Sequence, residues 1–499
     1  MLTKSTMRKK VNNFLGTKMR LNFLKSKTIF LIGIFMIFII AGWLRISLAS
    51  INQFANDQHF MVIKIISDQH IIPDRDTPKC KQCYHPKLYY LSAFSLIKII
   101  SSQYHSRTNI QQVHIAQQLN VCFGLLTLVI VFLFLLKLQF SRPVILATFS
   151  LIALNPRFIA INIQVTNDSL IILLSALTMY FLYLFLHKGS LLVAATVILF
   201  STLALLSKSS GVVLFLGVLF ILVIFLIGKF KEDKYRKKYI LVILVFLVIN
   251  TVGGGVFGPY YDNYKATGDF FAINRKKSPP AKLFKKTYIK NKVGVTSIAD
   301  SYLTFRFLNL LKHPFIDRSG VVRESALNQT SLWTELYARF NFIQHEAHPR
   351  QWKNKKGKSF RLGRLAYLFA IIPLAVFILG VFVTFRRFYL DYHKYKLKVF
   401  MYNLNWIFLF FFFLFVLALI KFTLDYRSFV SMKIIYIFPA MLPGIIIFAN
   451  GLTYFFQKIL NFKYRWLFLG SIIIPMVILL GIYIMDSLLL LETLQNIKY

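Results

Sequence analysis

A carboxylate at the mouth of an apolar helix costs desolvation unless it is paired or wetted, so an acid placed there marks a candidate reactive group. The chain holds only eighteen Asp and Glu, and two of them stand in this way. Asp57 lies in Asn56-Asp57-Gln58-His59, shortly after Arg45, and Asp168 lies in Asn167-Asp168-Ser169 at the start of an apolar run. For Asp168 the ordinary alternative is a helix N-cap. Lys208, in Leu206-Ser207-Lys208-Ser209-Ser210-Gly211, interrupts two apolar runs. An ammonium there either holds a phosphate as a point charge or snorkels to the headgroups. Arg427 and Lys433, the latter just ahead of Ile434-Ile435-Tyr436-Ile437-Phe438-Pro439, form a second cationic group, for which interfacial anchoring is the plain alternative. The stretch Cys83-Tyr84-His85-Pro86-Lys87-Leu88-Tyr89-Tyr90 joins a rigid proline turn to a cation and to aromatic rings. His85, Lys87 and Tyr89 in that setting suit a sugar and a phosphate, or else an aromatic belt at headgroup level.

Three cysteines occur. Cys80 and Cys83 are spaced for a disulfide in an oxidising compartment. With His85 they still fall short of the four ligands of a structural zinc, so no metal site is assigned. A divalent metal near the acids is compatible with the sequence, and no cofactor is demanded by it. Cys122 is expected to be buried within a span.

The elements that position these residues are legible from hydropathy. Of 499 residues 57% are hydrophobic and only 16% charged, more apolar sequence than a water-soluble domain needs. Runs of 17 to 25 apolar residues are long enough to cross about 30 Å of hydrocarbon as helices. They predict about eleven transmembrane helices, near 29–49, 113–136, 143–160, 170–186, 191–206, 212–227, 239–257, 365–385, 399–420, 434–455 and 466–485. The first is read as a retained anchor rather than a cleaved signal, because it lacks a small-residue cleavage site. The net charge of +42 argues for nucleic acid only if its placement agrees, and the placement agrees with a membrane instead. Lys4, Arg8, Lys9, Lys10, Lys18, Arg20, Lys25 and Lys27 precede the first span, and Lys229 to Lys238 and Arg386 to Lys398 fall on the same side by count. Short basic loops stay in the cytoplasm. The expected domains are a basic cytoplasmic N-terminus (1–28), a transmembrane module (29–257) with a first outer loop (50–112), an extracytoplasmic domain (258–364), C-terminal transmembrane helices (365–485) and a tail (486–499). The apolar stretch from Tyr89 to Ile100 is too short to span and is expected to lie along the interface.

In their order these motifs resemble the GT-C glycosyltransferases, the multi-spanning enzymes that use polyprenyl-phosphate sugars, and in particular the bacterial relatives of protein mannosyltransferases and aminoarabinose transferases. Arg45 and Asp57 resemble the family's first acidic outer loop, and His85-Pro86-Lys87-Leu88-Tyr89-Tyr90 resembles its His-Pro-Pro-Leu-Tyr-Tyr. Asn155-Pro156 with Asn167-Asp168 resembles the second acidic loop, Leu206-Ser207-Lys208 the lysine step, and Tyr436 to Pro439 the late Arg-Tyr-x-x-Pro motif. Gln58, Lys87 and Ile435 depart from that pattern. The resemblance implies inverting transfer of a sugar from a polyprenyl-phosphate donor to an acceptor on the extracytoplasmic face of a bacterial inner membrane. Asp57 would be the general base, Asp168 would orient the acceptor or a metal, and Lys208 with Lys87 or Lys433 would steady the leaving phosphate. The rivals are a transporter or flippase of an anionic amphiphile, which would favour midplane charges and internal repeats, and a non-catalytic scaffold with a basic outer domain.

Overall fold

The computed structural model describes residues 27–53, 58–102, 108–230, 233–256, 259–268, 270, 298–315, 327–328, 330–342, 357–425, 432–459 and 465–497. The regular elements among the described residues are all helices, with no strand. Among the described residues nine helices are long and apolar enough to cross a membrane, or ten if one bent pair counts as a single span. The eleventh expected span corresponds to Leu191–Ser207, an apolar helix of 17 residues.

Local sequence explains where the elements begin and break. Helix α1 (Lys27–Ile51) leads to the short α2 (His59–Gln69), and an irregular loop then reaches α3 (Leu88–Ser102). That α3 is the apolar stretch assigned to the interface. Its Tyr89, Tyr90, Ala93 and Ile97 turn inward. Helix α4 (Asn109–Lys137) opens on a reciprocal capping box between Thr108 and Gln111, which satisfies two otherwise orphaned amide donors. Helices α5 (Arg142–Ala153) and α6 (Pro156–Asn162) form the bent pair, at 53°. Pro156 sets the break, since proline suits the first turn of a new helix and disfavours helical geometry in the residue before it.

Arg45 locks that bend. Its guanidinium is fully buried and donates to Asn162 Oδ1 at 2.8 Å, to Ala153 O at 2.9 Å and to Ala41 O in its own helix at 2.9 Å. The Phe158 ring lies 5.1 Å from it. So Arg45, read as the end of the first span, ties α1 to both arms of the kink.

Helix α7 (Asp168–Lys188) ends on Gly189 at φ 65°, and α8 (Leu191–Ser207) runs back along it. The turn into α9 (Ser210–Lys229) is tight. A side chain at Gly211 would drive into the Ala204 carbonyl, so glycine there allows the backbone to reverse within three residues and presents Lys208 at the apex. Helix α10 (Asp233–Asn250) follows and passes through a π-helical turn at Thr251–Val256 into α11 (Pro259–Thr267).

Further on lie α12 (Ile298–Leu303), α13 (Phe307–Lys312) and α14 (Leu332–Asn341). The 38-residue α15 (Lys358–Tyr395) is about 57 Å long at 1.5 Å per residue. A short α16 (Val399–Tyr402) leads to α17 (Asn405–Asp425), α18 (Met441–Ile459) and α19 (Arg465–Gln495). α15 packs on α18 through two glycines. A Cβ on Gly380 would collide with the Ile447 carbonyl, and one on Gly451 with the Val376 carbonyl. Small residues that let backbones meet are the usual basis of helix association in lipid, where no hydrophobic drive between helices exists. Cys122 does not have the expected buried position. It is exposed on α4, pointing away from the bundle.

Candidate functional site

The polar side chains concentrate where α1 ends, α7 begins and the α8–α9 turn lies. Asp168 is the first residue of α7, with Asn167 in the N-cap position. The Asn167 amide donates to Ser207 O at 2.9 Å, stitching the two turns together. The capping alternative for Asp168 therefore gives way to a different arrangement. Its carboxylate forms an ion pair with Lys208 and accepts a hydrogen bond from the Thr166 hydroxyl at 2.6 Å. Both partners are buried. Lys208, expected as a lone cation, is paired. Its ammonium also lies 5.6 Å from the centre of the Tyr436 ring, which brings the late aromatic motif into the same site.

A second layer comes from the first loop. His59 Nδ1 and the Tyr90 hydroxyl are 2.6 Å apart, and His59 stacks on His85 with ring centres at 5.5 Å. Tyr84 packs on the other histidine at 4.1 Å. Burial, with the charges of His59, Lys208 and Lys87 around it, holds His85 well below the ordinary imidazole range, so it is neutral at physiological pH. Tyr89 accepts from the Asn120 amide at 3.1 Å, and that amide also donates to Thr166 O at 2.8 Å, next to Asp168. The two aromatic residues thus differ in role: Tyr89 braces α3 against α4, and Tyr90 faces His59.

Lys87 starts α3, its carbonyl accepting from Leu91 N at 3.0 Å, while its ammonium turns back onto the Cys83 carbonyl. Burial lowers Lys87 to about 8, against the pull of Asp74 and Asp262. The second of these acids sits on α11. Arg75 in the first loop donates to Asn263 of α11 at 3.2 Å, so the two loops meet beside Lys87. Cys80 and Cys83 form the expected disulfide, Cα atoms 5.5 Å apart.

Lys433 faces a further charged group, Glu335. It is buried, and its charge acts with those of Arg339 and Arg157 on Glu335. Burial pushes Glu335 up, opposed by these cations, and Glu335 pairs directly with Arg339 one turn along α14. This charged centre lies where α14 meets α6, and the burial of Lys433 there speaks against simple interfacial anchoring. Asp57 and Arg427 lie outside the described residues. In sequence Asp57 stands two positions before His59. His59 and Thr166 were not singled out by sequence, although His59 closes the Asp57 tetrapeptide. Among the described residues no group of three or more His, Cys, Asp or Glu is placed to hold a metal.

This assembly can do two things. The ammonium groups and tyrosine hydroxyls, with carboxylate partners fewer than cations, suit an anionic oxygen cluster at the end of apolar helices. The neutral His85 and Asp168 suit a hydroxylated ligand beside it.

One comparison with known proteins matches part of the chain to a family model. Residues 81–253 match the model of the dolichyl-phosphate-mannose-protein mannosyltransferase family. A search of curated proteins found no match. Among solved structures, the oligosaccharyltransferase AglB from Archaeoglobus fulgidus, in complex with an inhibitory peptide and a dolichol-phosphate, aligns with a TM-score of 0.45 and 14% identity over 91% of this chain and 56% of that one. The chain therefore spans a little over half of that protein's length. ArnT from Cupriavidus metallidurans bound to undecaprenyl phosphate aligns with a TM-score of 0.37 and 11% identity over 86% of this chain and 79% of that one.

Proposed function

We propose that this multi-pass membrane protein, whose residues 81–253 match the model of the dolichyl-phosphate-mannose-protein mannosyltransferase family, transfers a sugar from a polyprenyl-phosphate donor to an acceptor hydroxyl at the extracytoplasmic face. The observation that carries the reading is Lys208: a buried ammonium held by Asp168, facing Tyr436 and near His85, whose imidazole also feels the charge of Lys87, at the end of apolar spans. A lipid phosphate enters from the hydrocarbon with its charge at that depth.

In the proposed step Asp57 accepts the proton of the acceptor hydroxyl as its oxygen attacks the anomeric carbon. The bond from that carbon to the phosphate oxygen breaks, and the electron pair leaves with polyprenyl phosphate. Attack opposite the leaving group inverts the anomeric centre. Lys208 and Lys87 stabilise the charge that grows on the departing phosphate, because fixed cations aimed at developing charge lower the barrier. Asp168 keeps Lys208 in place and orients the acceptor side. A positioned base contributes about 10²- to 10⁴-fold.

The N-terminus in the cytoplasm and a bacterial inner membrane complete the reading. The test is incubation of the purified protein in nanodiscs with a panel of polyprenyl-phosphate hexoses and pentoses, measuring release of polyprenyl phosphate. Mass spectrometry of envelope glycans with and without the protein then names the sugar and acceptor. Movement of intact donor across vesicles without bond cleavage would instead establish the transporter.

A further inference from the structure

The Cys80–Cys83 disulfide closes a ring of only four residues. The stabilisation expected from restricting an unfolded chain grows with loop length, so so short a ring contributes least to overall stability. What it fixes is local. The segment from Ile71 to Lys87 has no regular helix and joins α2 to α3, yet it carries both His85 and Lys87 into the site. Its path is a run of turns: Cys80 N donates to Thr77 O and His85 N to Gln82 O, each at 3.2 Å, and Lys79 takes a left-handed φ of 63°. Both cysteines are buried, at 4% and 1% exposure. The carbonyl of Cys83, itself one of the two bridged residues, receives the Lys87 ammonium.

We infer that the disulfide is a positioning element for Lys87: by pinning the Cys83 peptide it sets where the Lys87 ammonium stands, and so sets the affinity of the site for a lipid phosphate. This rests on the donor reading above. Intact, the bridge gives the long, four-carbon lysine stem a fixed anchor. With the bridge opened the Cys83 carbonyl rotates, and the ammonium loses its register with Lys208 and His85. An oxidising extracytoplasmic compartment keeps the bond formed.

The experiment uses the full chain in nanodiscs, with undecaprenyl phosphate as the probe and undecaprenol as its phosphate-free control. Reduction by tris(2-carboxyethyl)phosphine takes the disulfide to two thiols while the phosphine becomes its oxide with oxygen from water, and thiol titration verifies completion. Reduction should weaken undecaprenyl phosphate binding about tenfold, the size of one misplaced charge-assisted hydrogen bond, with little change in thermal midpoint and full recovery on reoxidation. The Cys80→Ser/Cys83→Ser variant should be equally weak and indifferent to reductant, and Cys122→Ser should respond as the parent does. Lys87→Met should be weak in both redox states with no further loss on reduction, because two changes acting through one contact are not additive. An unchanged affinity after complete reduction overturns the inference. So does a reductant effect of the same size in Lys87→Met, or a collapse of the thermal midpoint, which would make the bridge a staple for the fold. If the oxidised protein does not prefer undecaprenyl phosphate over undecaprenol, the donor reading itself fails, and the inference with it.

Discussion

Replacing Lys208 by Met separates what the Asp168 pair does for folding from what it does for binding. From sequence alone, Lys208→Met should weaken donor use and leave abundance untouched. The structure changes the expectation. Lys208 neutralises a carboxylate that is itself buried, and removing one partner of such a pair costs about 3–5 kcal/mol because the other charge is stranded. Asp168 keeps the Thr166 hydroxyl at 2.6 Å, which places the cost near the lower end. At roughly 1–2 °C per kcal/mol for a chain of this size, extrapolated from smaller domains, the thermal midpoint should fall by about 3–6 °C. Lys208→Met/Asp168→Asn removes both charges and keeps the shapes, and should recover most of that loss. Binding should behave differently. Both variants lack the ammonium, so both should hold undecaprenyl phosphate at least tenfold more weakly, the range for a hydrogen bond to a charged group. Scanning fluorimetry in detergent and lipid-binding titration in nanodiscs measure the two quantities on the same preparations. A single variant as stable as the parent would refute the buried pairing. A double variant that regains affinity together with stability would show the pair to be purely structural.

Other consequences are equally direct. Asp57→Asn should lower the transfer rate about 10²-fold or more with modest change in donor binding, whereas Asp68→Asn, in the similar and exposed Asp68-Gln69-His70, should be nearly silent. The reverse outcome names the wrong acid. Lys87 near 8 is charged below that pH and neutral above it, so affinity for a lipid phosphate should be level at lower pH and fall as pH rises through about 8, by up to tenfold per unit. Lys87→Arg, which stays charged, should flatten that profile, and an unchanged profile would remove Lys87 from the phosphate site. For orientation, in a Cys122→Ser background a cysteine at exposed Lys265 should react with an impermeant reagent added outside, and one at Tyr235 should not. Asn328 is unsuitable as the outer probe, since it is buried and donates to His313 O. Labelling of Tyr235 alone would place the site in the cytoplasm.

The spans were legible because membrane burial imposes one requirement, about twenty apolar residues per crossing, and that requirement is written locally. The Cys80–Cys83 bridge was legible for the same reason, being a matter of a few adjacent residues, whereas the break at Pro156 fell inside a stretch read as one span. Pairings across the bundle were not. Asp168 and Lys208 are forty residues apart, and only the antiparallel return of α8 along α7 brings them together. Arg157 was hidden inside a run scored as one apolar span. Its place opposite Glu335 depends on how α14 docks, which no periodicity encodes. The His59–Tyr90 contact joins two short helices separated by an irregular loop. Hydropathy fixes how far each helix reaches, while side-chain charge is spent on contacts whose partners the chain order does not disclose.

The meeting of Gly380 and Gly451 restricts the lineage as well as the molecule. Each position abuts the backbone of the opposite helix, so neither can take a side chain while the other helix stays where it is. A substitution at one cannot be relieved by a smaller neighbour, since glycine is already the smallest and the obstacle is main chain. The angle between α15 and α18 is thus closed to gradual drift. Descendants of this sequence can vary the loops and retune the pocket freely, but a change in that crossing requires the two helices to part altogether.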